Sequence, residues 1–115
     1  MELDEFDPSQ LKYNEAGLIP CIVQDVTNNE VLMMAWMNAE SLRSTLDTKK
    51  MTYWSRSRQE FWIKGETSGN TQELVSIFYD CDQDTLLAFI NQKGPACHTG
   101  RRSCFYTEIK NEKPN

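Results

Sequence analysis

Apolar residues in this chain recur mostly at every second position, in short runs separated by polar turns. That rhythm constrains the fold more than any other feature, because alternation places one set of side chains on one face of an extended strand. LIPCIVQD (18–25) and VLMMAWM (31–37) are β-rich runs joined by VTNNE, where Asn28-Asn29 predicts a tight hairpin turn. Asn38 predicts the N-cap of a helix over AESLRSTLDTKK, with Leu42 and Leu46 at i and i+4 on one face. Further strands are expected over MTYWSRSR (51–58), EFWIK (60–64), TQELVSIFYD (71–80), TLLAFINQ (85–92) and SCFYTEI (103–109). About seven strands and one or two helices define an α+β class dominated by antiparallel pairing. The 115 residues suit one domain spanning 1–115, with the polar segments 1–13 and 110–115 expected to be flexible.

Apolar content of 39% and charged content of 25% are ordinary for a globular protein and argue against wholesale disorder. The opening MELDEFDPSQLKY has neither the basic start nor the apolar run of a signal peptide, and no apolar stretch is long enough for a transmembrane helix. A cytoplasmic location follows as the expectation. There the four cysteines stay free for metals or catalysis, although their number would permit two disulfides. A net charge of −5 speaks against a nucleic-acid or anionic-membrane binder. Acidic residues crowd positions 1–15, whereas Lys49, Lys50, Arg56, Arg58, Lys64, Lys93, Arg101 and Arg102 lie further on. A local basic group on an acidic chain fits a small phosphorylated ligand, the plain alternative being solvated surface charges.

In YDCDQDT (79–85), Asp80, Asp82 and Asp84 alternate, so a straight strand would put three repelling charges on one face and Cys81 on the other. A hard divalent cation such as Mg²⁺ removes that conflict. At i and i+4 on a straight strand the outer two stand about 13 Å apart, so sharing an ion requires a hairpin bend, expected at Gln83. An acidic hairpin tip in solvent is the alternative, and the spacing excludes an EF-hand. GPACHTGRRSC (94–104) brings two more thiols together with the single histidine. Cys81, Cys97 and Cys104 are three soft ligands suited to Zn²⁺, and three protein ligands leave the open position of a catalytic zinc. Cys21, inside a strand, reads as core packing. His98 could be a fourth ligand, a proton carrier or an inert residue. Its place beside Cys97, with adjacent side chains diverging, favours acid/base work.

GETSGN (65–70) offers Gly65, Thr67, Ser68, Gly69 and Asn70, a loop able to turn N–H groups and hydroxyls towards an anion, or a plain hairpin loop. In WSRSR (54–58), Trp54, Arg56 and Arg58 would share a strand face, fit to stack a base and hold a phosphate, or simply form an exposed edge.

WSRSR, KGETSGN, DCDQD and GPACHTGRRSCFY, in this order and spacing, closely resemble the phosphoribosyl-AMP cyclohydrolase family of histidine biosynthesis. GLIPCIVQD and EVLMMAWMN are similar to that family's first hairpin, so the resemblance covers roughly residues 14–108. It implies a homodimer whose zinc is shared, Cys81 coming from one chain and Cys97 and Cys104 from the other, and Mg²⁺ at Asp80, Asp82 and Asp84. It further implies hydrolytic opening of the N1–C6 bond of phosphoribosyl-AMP. His98 is then the catalytic group, and Trp54, Arg56, Arg58, Lys64, Thr67, Ser68, Gly69, Asn70, Arg101 and Arg102 are the substrate contacts. A nucleobase deaminase is excluded, because His98 is followed by Thr99 and Gly100 and no C-x-x-C exists. A zinc-stabilised dimeric binding module without turnover is the second reading.

Overall fold

The computed structural model describes residues 6–110; the fraying expected of residues 1–5 and 111–115 lies outside the described residues. Six strands and one α-helix follow in the order β1 (Ile19–Asp25), β2 (Val31–Met37), α1 (Ala39–Thr48), β3 (Thr52–Ser55), β4 (Glu60–Ile63), β5 (Gln72–Tyr79) and β6 (Leu86–Gln92). The class is α+β with mostly antiparallel strands, as the alternation predicts. None of the described helices is long and apolar enough to cross a membrane.

Each residue of β1 alternates in burial, with Ile19, Cys21, Val23 and Asp25 inward. β1 lies inside a four-stranded sheet of order β2-β1-β6-β5. It pairs antiparallel with β2 and parallel with β6, from Cys21↔Leu86 to Asp25↔Ile90. This parallel contact departs from the antiparallel expectation. Everything between β1 and β6 in the chain forms the crossover that parallel strands require. The β1–β2 connection is a five-residue loop rather than a two-residue turn. Asn29 takes the left-handed conformation at φ 63°, its N–H bonds Asp25 O at 2.7 Å, and the register shifts at Val23/Gln24.

Asn38 caps α1, its side chain accepting from Ser41 N at 2.8 Å while Ser41 Oγ accepts from Asn38 N at 3.0 Å. Leu42 is buried against the sheet, and the helix ends at Lys49 in the left-handed conformation. β3 and β4 form a separate hairpin. It is tied to the main sheet by Met51 N to Gln72 O and by the fully buried Tyr53, whose hydroxyl donates to Gln72 Oε1 at 2.5 Å.

Three further expectations need correcting. MTYWSRSR does not stay extended to Arg58: β3 stops at Ser55, and Arg56–Gln59 turn, so Trp54, Arg56 and Arg58 do not share a strand face. SCFYTEI forms no strand: it meets the edge strand β2 by the backbone bond from Cys104 N to Leu32 O without continuing into a ladder, and Phe105, Tyr106 and Ile109 are exposed. The N-terminal segment, expected to be flexible, is packed from residue 6 onward. Asp7 caps a 3-10 turn at Pro8–Gln10, Leu11 enters the core, and Lys12 N bonds Gln83 O at 2.8 Å.

Tyr53→Phe should leave Gln72 Oε1 buried without its donor, at a cost of about 1–3 kcal/mol in urea unfolding with the fold retained.

Candidate functional site

The sheet topology sorts the chemistry-bearing residues to two ends. At the end where β5 turns into β6, Gln83 adopts φ 64° and Asp80 O accepts from Gln83 N at 2.9 Å. That bend brings ligand oxygens of Asp80, Asp82 and Asp84 within 4.8 Å of one another, all three residues exposed. The bend at Gln83 thus resolves the 13 Å separation a straight strand would impose. The set suits a hard cation by its all-carboxylate chemistry and close approach. Trp36 lies at this end too. It lines one hollow with Lys12, Tyr13 and Asp84, and a neighbouring one with Trp54, Ser55, Arg56, Ser57 and Trp62. The Arg56 guanidinium stands 5.0 Å above the Trp36 ring, and Trp54 meets Phe61 edge-on at 5.0 Å. Arg58 instead pairs with Glu60 at 3.0 Å on the surface.

At the other end, the chain leaving β6 forms the loop that carries the remaining thiols. Ala96 N bonds Arg102 O and Cys97 N bonds Arg101 O, each at 3.0 Å, closing the loop over Cys97–Gly100. Cys97 is buried, Cys104 is exposed, and Cys104 N bonds Leu32 O of β2 at 2.7 Å. Hydrogen bonding from the Thr99 side chain, 3.0 Å away, and from its backbone lowers the Cys97 thiol below its ordinary value, with Cys104 and Lys64 adding to the effect. Burial and the neighbouring Cys97 raise Cys104. The two thiols are therefore adjacent, and ionisation of one opposes ionisation of the other. Lys64 is half-buried beside them and donates to Ala96 O at 2.5 Å. Burial lowers its ammonium, and the two thiols work against that. Cys81 stands apart on the acidic turn; among the described residues, Asp80, Asp82 and Asp84 form the one metal-capable group of three or more ligands. All four cysteines are free, and burial pushes the Cys21 thiol up to about 12, which suits an inert core group.

The GETSGN loop sits at the thiol end. Gly65 has φ 82°, and a Cβ there would come within 2.4 Å of the Asn70 carbonyl carbon, so glycine is required. Thr67, Ser68 and Gly69 are exposed, Asn70 packs its side chain on Gly94, and Lys93 N bonds Thr71 O at 2.9 Å. His98 is exposed on the thiol loop, and Arg101 stacks 4.1 Å above Tyr106. Arg102 reaches back to the first hairpin, pairing with Asp25 and, at 2.5 Å, with Glu30.

Asp25, Glu30, Trp36 and Thr99 escaped the sequence reading as parts of this arrangement. Asp25 carries a legible signal: an acid at an inward position of a buried strand demands a partner.

A model of the phosphoribosyl-AMP cyclohydrolase family matches residues 33–106. A phosphoribosyl-AMP cyclohydrolase of Ruegeria sp. (strain TM1040) is 67% identical over 109 residues, 95% of this chain and 84% of the relative. Those of Roseobacter denitrificans and Ruegeria pomeroyi are 65% and 63% identical, each over 91% of this chain and over 82% and 88% of the relatives. A mixed sheet with a carboxylate turn at one end and paired thiols at the other thus belongs to a hydrolase. The chain is a member of the phosphoribosyl-AMP cyclohydrolase family.

Burial works to raise the Asp25 carboxyl, but the Thr27 N–H and hydroxyl and the Arg102 guanidinium outweigh it and hold the group below its ordinary value of 3.8. A depressed folded-state value contributes stability that is present above the unfolded value and lost as pH falls through the folded one. The stability advantage of the protein over its Asp25→Asn variant should therefore be full at pH 7 and shrink below about pH 4, as denaturant melts at the two pH values would record.

Proposed function

We propose that this chain hydrolyses phosphoribosyl-AMP in histidine biosynthesis, adding water at C6 of the adenine ring and opening the N1–C6 bond. The family match over residues 33–106 carries the reading, because every metal, catalytic and substrate candidate falls within it. A phosphoribosyl group on N1 leaves C6 electron-poor, which makes that carbon the point of attack. We further propose a homodimer. β6 is a seven-residue strand, about 20 Å long at ~3.3 Å per residue, with Cys81 before its start and Cys97 and Cys104 beyond its end. Two thiols at one end fit half of a soft-metal site, and a second copy contributing Cys81 would complete it with zinc.

When bound, zinc supplies Lewis acidity towards a water. The residues of the chain do the rest. Cys97, Cys104 and the partner's Cys81 would hold the ion, and Asp80, Asp82 and Asp84 would hold Mg²⁺. Lys64, Thr67, Ser68, Gly69, Asn70 and Arg101 at the thiol end are assigned to phosphate, and Trp54, Arg56 and Arg58 at the other end to base and phosphate. His98, exposed on the thiol loop, moves the proton released as water adds to C6. Two phosphates on the substrate account for these cations and the glycine loop. The cytoplasm is the proposed location.

Steady-state conversion of phosphoribosyl-AMP, followed by absorbance, tests the activity. Binding without turnover would favour the second reading, a dimeric nucleotide-binding module. In His98→Asn, kcat should fall roughly 10²–10⁴-fold with zinc content and dimer unchanged, the loss expected for a positioned acid/base group. Lowered zinc content would instead make His98 a ligand. Asp82→Asn should fold normally yet need far more Mg²⁺ for half-maximal rate, since a hard-cation site loses one anionic ligand. An unchanged Mg²⁺ titration would remove the carboxylate site from the reaction.

A further inference from the structure

Arg102 sits two positions before Cys104 and was expected to contact substrate phosphate, but its guanidinium is already engaged. One nitrogen pairs with Asp25 and Nε donates to Glu30 Oε1 at 2.5 Å, across 77 and 72 sequence positions. Asp25 is itself fixed: its side chain is 5% exposed, and Oδ1 accepts from the N–H and hydroxyl of Thr27 at 2.8 and 2.7 Å. The same segment is held at two further points, by Ser103 Oγ donating to Val31 O at 2.9 Å and Cys104 N donating to Leu32 O. On its other side the Arg102 carbonyl accepts from Ala96 N, the residue before Cys97. A planar guanidinium fork gripping two carboxylates fixes direction as well as distance.

We propose that Arg102 is a positioning residue for the metal-binding thiols, clamping the loop that bears Cys97 and Cys104 to the first hairpin through Asp25 at the end of β1 and Glu30 in the β1–β2 loop. This rests on the reading of Cys97 and Cys104 as zinc ligands. A guanidinium held in this way sets the separation of the two sulfurs before any ion binds. It also leaves phosphate binding at this end to Lys64, Arg101 and the glycine loop.

The test measures zinc release from the purified holoenzyme to a chromogenic chelator, together with KM for phosphoribosyl-AMP. Arg102→Gln should release zinc about 10–100-fold faster, the usual loss when a group supporting a ligand is removed. KM should stay within about twofold, because no substrate contact is lost. Arg102→Lys keeps the charge without the fork and should fall between the two. Should Arg102→Gln fail to fold, Glu30→Gln removes only the more exposed carboxylate and should still speed release. Zinc release at the normal rate with a KM raised tenfold or more would make Arg102 a substrate contact and overturn the clamp. Normal values of both would overturn it equally. Cys104→Ser separates the two levels of failure: loss of zinc there upholds the ligand assignment, whereas full zinc content would overturn that assignment and the clamp with it.

Discussion

The parallel pairing of β1 with β6 is the contact on which the rest of the molecule depends. It places the C-terminal ends of both strands on the same side, so the β1–β2 loop and the thiol loop leave the sheet as neighbours. Because β5 runs antiparallel to β6, the glycine loop preceding β5 joins them there. The same rule sends the carboxylate turn to the far side, beside Trp36 and the packed N-terminal segment. Direction of strand pairing, more than any single side chain, decides which functional groups can cooperate.

Charge follows the same division. The carboxylate end gathers three acids that repel one another unless a cation is present. The thiol end places Lys64 beside two ionisable sulfurs, while Arg102 of the same loop is taken up by Asp25 and Glu30. Lys64 draws the Ala96 carbonyl from one side while Arg102 draws the first hairpin from the other, so the loop carrying Cys97 is held at both flanks. The homodimer proposed above would bring the two ends together across two copies of the chain.

Much of this was legible in the sequence because it is local. Alternation or a β-rich apolar run marked every observed strand, Asn38 announced α1, and a bend at Gln83 was expected wherever Asp80, Asp82 and Asp84 are to meet. The failures were non-local or depended on a partner. SCFYTEI has strand-forming residues and touches the edge strand β2 through Cys104 N and Leu32 O, but that backbone bond does not extend into a ladder and Phe105, Tyr106 and Ile109 stay exposed. WSRSR alternates as a strand should, yet a turn begins after Ser55 and brings Arg56 over Trp36, twenty positions upstream in a different sheet. Nothing local says that β1 will lie beside β6, or that Arg102 will find Asp25.

That long-range pairing has a cost during synthesis. Cys21 must wait for Leu86, so the first hairpin and α1 emerge while one side of β1 has no neighbour. Until β5 and β6 arrive, β1 presents a row of free backbone donors and acceptors flanked by Ile19, Cys21 and Val23, the kind of edge on which nascent chains stick to one another. A chain truncated before β6 would keep that edge permanently. The last strand of the sheet is therefore also the molecule's protection against self-association at the ribosome.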